Sequence, residues 1–178
     1  MKFTKTKIGG AFIWSPEKKA DDRGNFSRVW DRKLFAVGKI NFEIDNIYSS
    51  YNLKKGTLRG LHYQEKPYSE CKIVRCVKGE IFDVAVDLRK QSGTYKRWTS
   101  VLLSEKNNKL FFIPEGCAHG YLTLTDKTLI DYFVSNFYSA EAQRGIPYND
   151  PNFNIDWPEA VLKISERDKN WPGYDNYR

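Results

Sequence analysis

Residues 79–88 read Gly79-Glu80-Ile81-Phe82-Asp83-Val84-Ala85-Val86-Asp87-Leu88. After the Lys78-Gly79 turn signal, Phe82, Val84, Val86 and Leu88 fall on one face, and Ile81, Asp83, Ala85 and Asp87 on the other, the period of a β-strand. The same reading extends to both sides. Residues 72–77 form a β-rich run that ends at the turn, residues 98–103 another, and residues 109–113 a short apolar one before Pro114-Glu115-Gly116. Residues 118–124 and 128–137 give two more around Thr125-Asp126-Lys127. Short strands at near-regular spacing predict an antiparallel sandwich or barrel. Helices are expected only as short pieces at 31–35 and 139–143, too few for a doubly wound α/β sheet. From residue 147 onward, prolines at 147, 151, 158 and 172 predict an irregular segment wrapped over the barrel.

Composition narrows the class. The 178 residues suit one domain spanning 1–178 with a core of its own. Hydrophobic residues make up 40%, charged residues 29% and aromatics 15%, enough large side chains to exclude global disorder. Apolar runs such as Ala11-Phe12-Ile13-Trp14 fall far short of the ~20 residues of a membrane helix. Three lysines in the first ten residues do not read as a secretory signal. Three cysteines (Cys71, Cys76 and Cys117) without a CxxC spacing predict free thiols in a reducing, cytoplasmic setting. The net charge of +7 points to an anionic partner. Its scatter, with no basic run longer than pairs such as Lys18-Lys19, argues against nucleic acid and for a phosphorylated small molecule.

There are two histidines in the chain, His62 and His119. In Gly56-Thr57-Leu58-Arg59-Gly60-Leu61-His62-Tyr63-Gln64, simple alternation puts Leu58, Gly60 and His62 on one face and Arg59, Leu61 and Tyr63 on the other. Gly60 then leaves room beside a histidine suited to proton transfer near neutral pH. A hydrogen-bonded core histidine fits this window equally. His119, in Pro114-Glu115-Gly116-Cys117-Ala118-His119-Gly120, matches half of a metal motif of cupins. Such sites take about three histidines and a carboxylate, so no metal is expected, and His119 reads as structural or phosphate-contacting. Phosphate-loop, dinucleotide and nucleophile-elbow motifs are absent. By themselves Tyr132 reads as core packing and Asp168 as a surface acid. Lys72 either snorkels or places an ammonium inside the barrel, where it would stabilise an oxyanion.

Motifs in order along residues 8–172 then set these residues in a pattern: D-x-R-G-x-F at 21–26, K-G-T-L-R-G-L-H-Y-Q at 55–64, K-I-V-R at 72–75 and G-E-I-F-D-V-A-V-D-L-R at 79–89. They continue with I-P-E-G-C-A-H-G at 113–120, R-G-I at 144–146, N-D-P at 149–151, I-D-W-P at 155–158 and S-E-R-D at 165–168. On these the chain resembles the dTDP-4-dehydrorhamnose 3,5-epimerase family of nucleotide-sugar enzymes. The resemblance implies a cupin-type jelly-roll β-barrel, a homodimer, no metal or organic cofactor, and a nucleotide-diphosphate 4-keto sugar as substrate. It implies His62 as general base, Asp168 as the carboxylate orienting it, Tyr132 as the acid on the opposite ring face and Lys72 beside the keto oxygen. Arg59, His119, Gln143 and Lys169 correspond to substrate contacts. Arg23 and Phe26 correspond to a segment reaching the partner's pocket. The chain departs from the family pattern at Asn25, Arg28 and Gln143 and in the segment 46–50, positions tied to nucleotide and sugar choice. A C3-only epimerase, a 3,4-ketoisomerase and a non-catalytic carbohydrate-binding cupin are the neighbouring alternatives.

Overall fold

A computed structural model describes residues 2–38, 40 and 42–177. Strands β1 (Lys2–Lys5) and β2 (Phe12–Ser15) come first, then β3 (Lys18–Asp21), β4 (Gly24–Ser27) and helix α1 (Arg32–Val37). Next come β5 (Asn46–Asn52), β6 (Leu58–Gln64), β7 (Lys72–Lys78), β8 (Glu80–Asp87), β9 (Trp98–Ser104), β10 (Leu110–Ile113), β11 (Cys117–Thr123) and β12 (Thr128–Val134). The tail contributes β13 (Gln143–Gly145) and the one-turn helix α2 (Glu166–Lys169).

Among the described residues these strands make a six-stranded sheet, β1-β2-β10-β7-β12-β5, a five-stranded sheet, β13-β6-β11-β8-β9, and the separate hairpin β3-β4. The two larger sheets face each other across a core that draws Val74, Phe111 and Ile130 from one and Ile81, Ala85, Val101 and Tyr121 from the other. This is the antiparallel two-sheet barrel expected from the short, regularly spaced strands, and it matches the jelly roll that the resemblance implies. Both faces of β8 are covered, however. Ile81, Asp83 and Ala85 point into the barrel, while Val84 and Val86 pack outward beneath Ile146, Phe153 and Tyr174 of the tail. Each such apolar side chain withdrawn from water contributes about 1.5–3 kcal/mol. The irregular tail is therefore a structural layer.

On the opposite side, α1 lays Phe35 against Trp14, Phe12 and Phe112. It starts where Asp31, the first residue of the expected piece, caps it by accepting from the backbone amides of Lys33 (2.9 Å) and Leu34 (3.2 Å). The second expected helix, 139–143, is absent. One turn closes as Gln143 N donates to Ser139 O at 3.0 Å, and the chain then joins the edge of β6 as β13. Five residues are too few to nucleate a helix against an open strand edge that offers a backbone ladder.

The parity read in β6 also changes. His62 lies opposite His119 and Arg59 opposite Tyr121, so Gly60 and Leu61 together face the single residue Gly120. That bulge turns Arg59 and His62 to the same side and sends Leu61 outward into the tail-covered cluster. Gly60 has φ +117°, and a Cβ there would lie 2.5 Å from Gly120 Cα. Its missing side chain admits the backbone of β11, not a ligand.

At the end of β8, Asp87 accepts from Arg89 Nε (2.8 Å), Ser92 Oγ (2.6 Å) and Thr94 Oγ1 (2.7 Å), which ties down the β8–β9 loop. Burial raises its pKa, but these donors outweigh burial and hold the carboxyl at about 2, against 3.8 for a free aspartate. A carboxyl with a depressed folded pKa stabilises the fold fully above its unfolded value, and that contribution is lost as pH falls through the folded one. It amounts to about 2 kcal/mol at neutral pH. Asp87→Asn is expected to lower stability at pH 7 by that order. In chemical denaturation, the gap to wild type should close as pH falls from about 4 to about 2.

Candidate active site

A cavity of about 150 Å³ opens between β6, β7 and β12, bordered by His62, Lys72, Tyr132, Glu70, Tyr138 and Gln143. A larger hollow of about 630 Å³ lies among Phe3, Ile8, Phe12 and Phe112 at the N-terminal strands and holds no acid–base pair. The smaller cavity is the candidate on chemistry.

His62 Nε2 donates to Asp168 Oδ1 at 2.6 Å, leaving Nδ1 with its lone pair. Asp168, read in isolation as a surface acid, is 4% exposed. Its Oδ2 accepts from Gly60 N (3.2 Å), and its Oδ1 also accepts from Trp171 Nε1 (3.2 Å). Burial raises its pKa, but the His62 bond and charge, with the Gly60 and Trp171 donors, bring it below the usual carboxylate range. Asp168 is thus ionised beside the imidazole. Its position follows from α2, where Ser165 caps the turn by accepting from Asp168 N at 3.1 Å. Trp171 packs edge-on to His62, with ring centroids 6.0 Å apart. Space for its indole comes from Gly145, the register partner of His62 on β13, where a Cβ would sit 2.3 Å from the ring.

Lys72, largely buried, pairs with Glu70 at 3.1 Å, and Glu70 in turn accepts from Gln64 Nε2 at 3.1 Å. The ammonium is therefore inside the barrel mouth and does not snorkel to the surface. Tyr132 borders the cavity from β12. Burial, then the charge and hydrogen bonding of Tyr121, push its pKa well above that of a free phenol, so it holds its proton at neutral pH.

The other expected contacts divide. Gln143 borders the cavity, where its Oε1 accepts from Tyr138 Oη (2.8 Å) and Arg167 Nη2 (2.6 Å). Arg59 lies close enough to Tyr132 to act on it electrostatically, with its Nε donating to Asn52 Oδ1 at 2.8 Å. His119 is 4% exposed and does not border the cavity. It bonds Asp83 Oδ1 at 2.7 Å behind Tyr132, a buried pair in place of a phosphate contact at the surface. Lys169 points away, paired with Glu166 at 2.7 Å beside a different hollow. With Asp168 directed inward on a one-turn helix, its two neighbours flank it on opposite sides, and Arg167 is the one that meets Gln143 and stacks over Trp171. Arg23 and Phe26 stand on the exposed β3–β4 hairpin, outside the cavity of their own chain, with Phe26 72% exposed.

Glu70, Tyr138, Asp83 and Arg167 escaped sequence reasoning. Glu70 had a signal, since it precedes Lys72 by two residues on the way into β7. Among the described residues no group of three His, Cys, Asp or Glu side chains is placed to hold a metal ion. The cysteines are free, and burial pushes the Cys76 and Cys117 thiols up to about 12, so neither is a nucleophile.

Residues 5–176 match the family described as dTDP-4-dehydrorhamnose 3,5-epimerase. The chain is 48% identical over 176 residues to the dTDP-4-dehydrorhamnose 3,5-epimerase of Methanothermobacter thermautotrophicus, covering 96% of this chain and 92% of that one. To the enzyme of that name from Shigella flexneri it is 45% identical over 173 residues, covering 96% and 94%. Its structure superposes with a TM-score of 0.90 on the crystal structure of a dTDP-6-deoxy-D-glucose-3,5-epimerase from Legionella pneumophila in complex with dTDP-4-keto-L-rhamnose, at 35% identity and coverage of 96% and 90%.

Proposed function

The chain belongs to the dTDP-4-dehydrorhamnose 3,5-epimerase family, and from that premise we propose that His62, Asp168, Lys72 and Tyr132 carry out the inversion of a dTDP-linked 4-keto-6-deoxyhexose. The protein is an isomerase that epimerises a nucleotide-linked 4-keto sugar in deoxysugar biosynthesis. The observation that carries the residue roles is the cavity itself, which brings an Asp-bound imidazole, a buried ammonium and a protonated phenol together.

A C4 ketone acidifies the hydrogens on C3 and C5. His62 Nδ1 takes one of these protons, and Asp168 stabilises the imidazolium that forms. The electron pair moves onto the ketone oxygen, where Lys72 meets the enolate charge. Tyr132 returns a proton to carbon from the other ring face, which inverts the centre. No electron changes hands in any of these steps. Exhaustive chelation is expected to leave turnover unchanged, and recovery of activity only on adding iron, zinc or manganese would overturn this mechanism.

A volume of about 150 Å³ suits a sugar ring, not a whole nucleotide sugar, since sites for larger ligands run to about 300–1,000 Å³. The proposed active unit is a homodimer in which the exposed hairpin of a second copy brings Arg23 and Phe26 over the mouth and extends it for the base and phosphates. The test of function is incubation with 4-keto-6-deoxy nucleotide sugars in deuterated water, followed by NMR. Solvent deuterium entering at C3 and C5 with inversion of both centres is the expected result. Incorporation at C3 alone would make this a C3-only epimerase, and transfer of the carbonyl to C3 a ketoisomerase.

A further inference from the structure

Tyr121 brings a second phenol into the barrel beside Tyr132. Its side chain is 1% exposed, and its ring centroid lies 6.3 Å from that of Tyr132. Its hydroxyl is 3.1 Å from Ser50 Oγ and 3.1 Å from Asn52 Nδ2, with a longer approach of 3.3 Å to Asn52 Oδ1. Most buried tyrosines are core packing that finds one partner for the hydroxyl. Here the partners are ordered in a way that packing does not require. Asn52 Oδ1 already accepts from Arg59 Nε at 2.8 Å, which fixes the amide so that Nδ2 donates to Tyr121. The Tyr121 hydrogen is then shared between Ser50 Oγ and the longer contact to Asn52 Oδ1, and the ring that carries it lies beside Tyr132. Ser50 is half-buried on β5, the edge strand of the six-stranded sheet, where water has access. Burial, followed by the charge and hydrogen bonding of Tyr121, raises the pKa of Tyr132, as a Tyr121 oxygen accepting from the resting phenol would do.

On the epimerase reading above, each inversion leaves His62 with one proton too many and Tyr132 with one too few. We propose that Tyr121 is the positioning and proton-return residue for Tyr132. The Tyr121 O–H donates to the Tyr132 phenolate, the Ser50 O–H donates to Tyr121, and a water at the β5 edge restores Ser50. Every O–H broken is remade by the next donor. One proton enters from water, one leaves His62 for solvent, and no charge is left inside. In the resting state the same three hydroxyls point the other way, from Tyr132 through Tyr121 to Ser50.

The test is a rapid-quench time course with dTDP-4-keto-6-deoxyhexose in modest excess over enzyme sites, comparing wild type, Tyr121→Phe, Ser50→Ala and the double variant. For Tyr121→Phe the first inversion per site is expected close to the wild-type rate. Later turnovers should slow by about 100-fold, the low end of what losing a proton-transfer group costs, with KM falling alongside kcat and kcat/KM close to wild type. Ser50→Ala should show the same burst followed by slow turnover, and the double variant should be no slower than Tyr121→Phe alone. A purely structural role predicts instead that the first and later turnovers slow together, or that KM rises, and either result overturns the relay. So does an unchanged kcat in both single variants. Should Tyr121→Phe fail to fold, the partly exposed Ser50→Ala carries the same test. A wild-type enzyme that inverts neither centre would sink the epimerase reading, whereas an active wild type with unaffected variants sinks only the relay.

Discussion

His62→Asn is expected to stop both inversion and the exchange of substrate hydrogens with deuterated water. Loss of a positioned acid or base typically costs about 100- to 10,000-fold. Here the fall should reach or pass the upper end, because His119, the other histidine, is buried against Asp83 behind Tyr132 and cannot substitute. Asparagine keeps a similar size and can still hydrogen-bond Asp168, so the fold should survive, and an unchanged denaturation midpoint would show it. Asp168→Asn should fall between His62→Asn and wild type. Its amide oxygen can still accept from His62 Nε2 and hold the ring, but the negative charge that favours the imidazolium is gone. NMR in deuterated water reads both variants directly. Residual exchange in His62→Asn near the wild-type rate would place the base elsewhere.

The residues of this dyad mark where sequence and structure part. Strands β7 to β12 were legible because each is a short apolar or β-rich run between turn signals, and β8 alternates in residue type although both of its faces are covered. The hairpin β3–β4 was not, since Lys18–Asp21 and Gly24–Ser27 are almost wholly exposed and leave no apolar pattern to read. Within β6 the period failed at one point. A bulge at Gly60 and Leu61 puts Arg59 and His62 on a common side, which counting from Leu58 cannot foresee. Asp168 is 106 residues from His62 and looks solvated in its own window. Only the tail folding back over the five-stranded sheet buries it and brings it to His62, so local physics gave no warning, and the family resemblance supplied its proposed role. The same resemblance assigned a substrate contact to Lys169, which here pairs with Glu166, while Arg167 bonds Gln143 at the border of the cavity. Pattern matching locates a segment. Which of Arg167 and Lys169, on either side of Asp168, lies toward Gln143 depends on a rotation of the backbone that no motif records.

Tyr132→Phe separates the two halves of the reaction. The base, Lys72 and the His62–Asp168 bond all remain, so deprotonation to the enolate should continue, and C3 and C5 hydrogens should still wash out into deuterated water. What disappears is the proton on the opposite face. Burial and Tyr121 keep that proton on the wild-type phenol at neutral pH, and phenylalanine has none to offer. The enolate is then reprotonated mainly by His62 from the face it left, which restores the starting configuration. Exchange without inversion is the signature. Inversion should drop about 100- to 10,000-fold while exchange changes far less. The ratio of the two rates is insensitive to partial misfolding, because an unfolded fraction lowers both equally. Inversion of both centres at the wild-type rate would defeat the two-face mechanism. Loss of inversion at C5 alone would mean that the two centres draw on different acids, with Tyr132 serving C5 and a second donor at the same mouth serving C3.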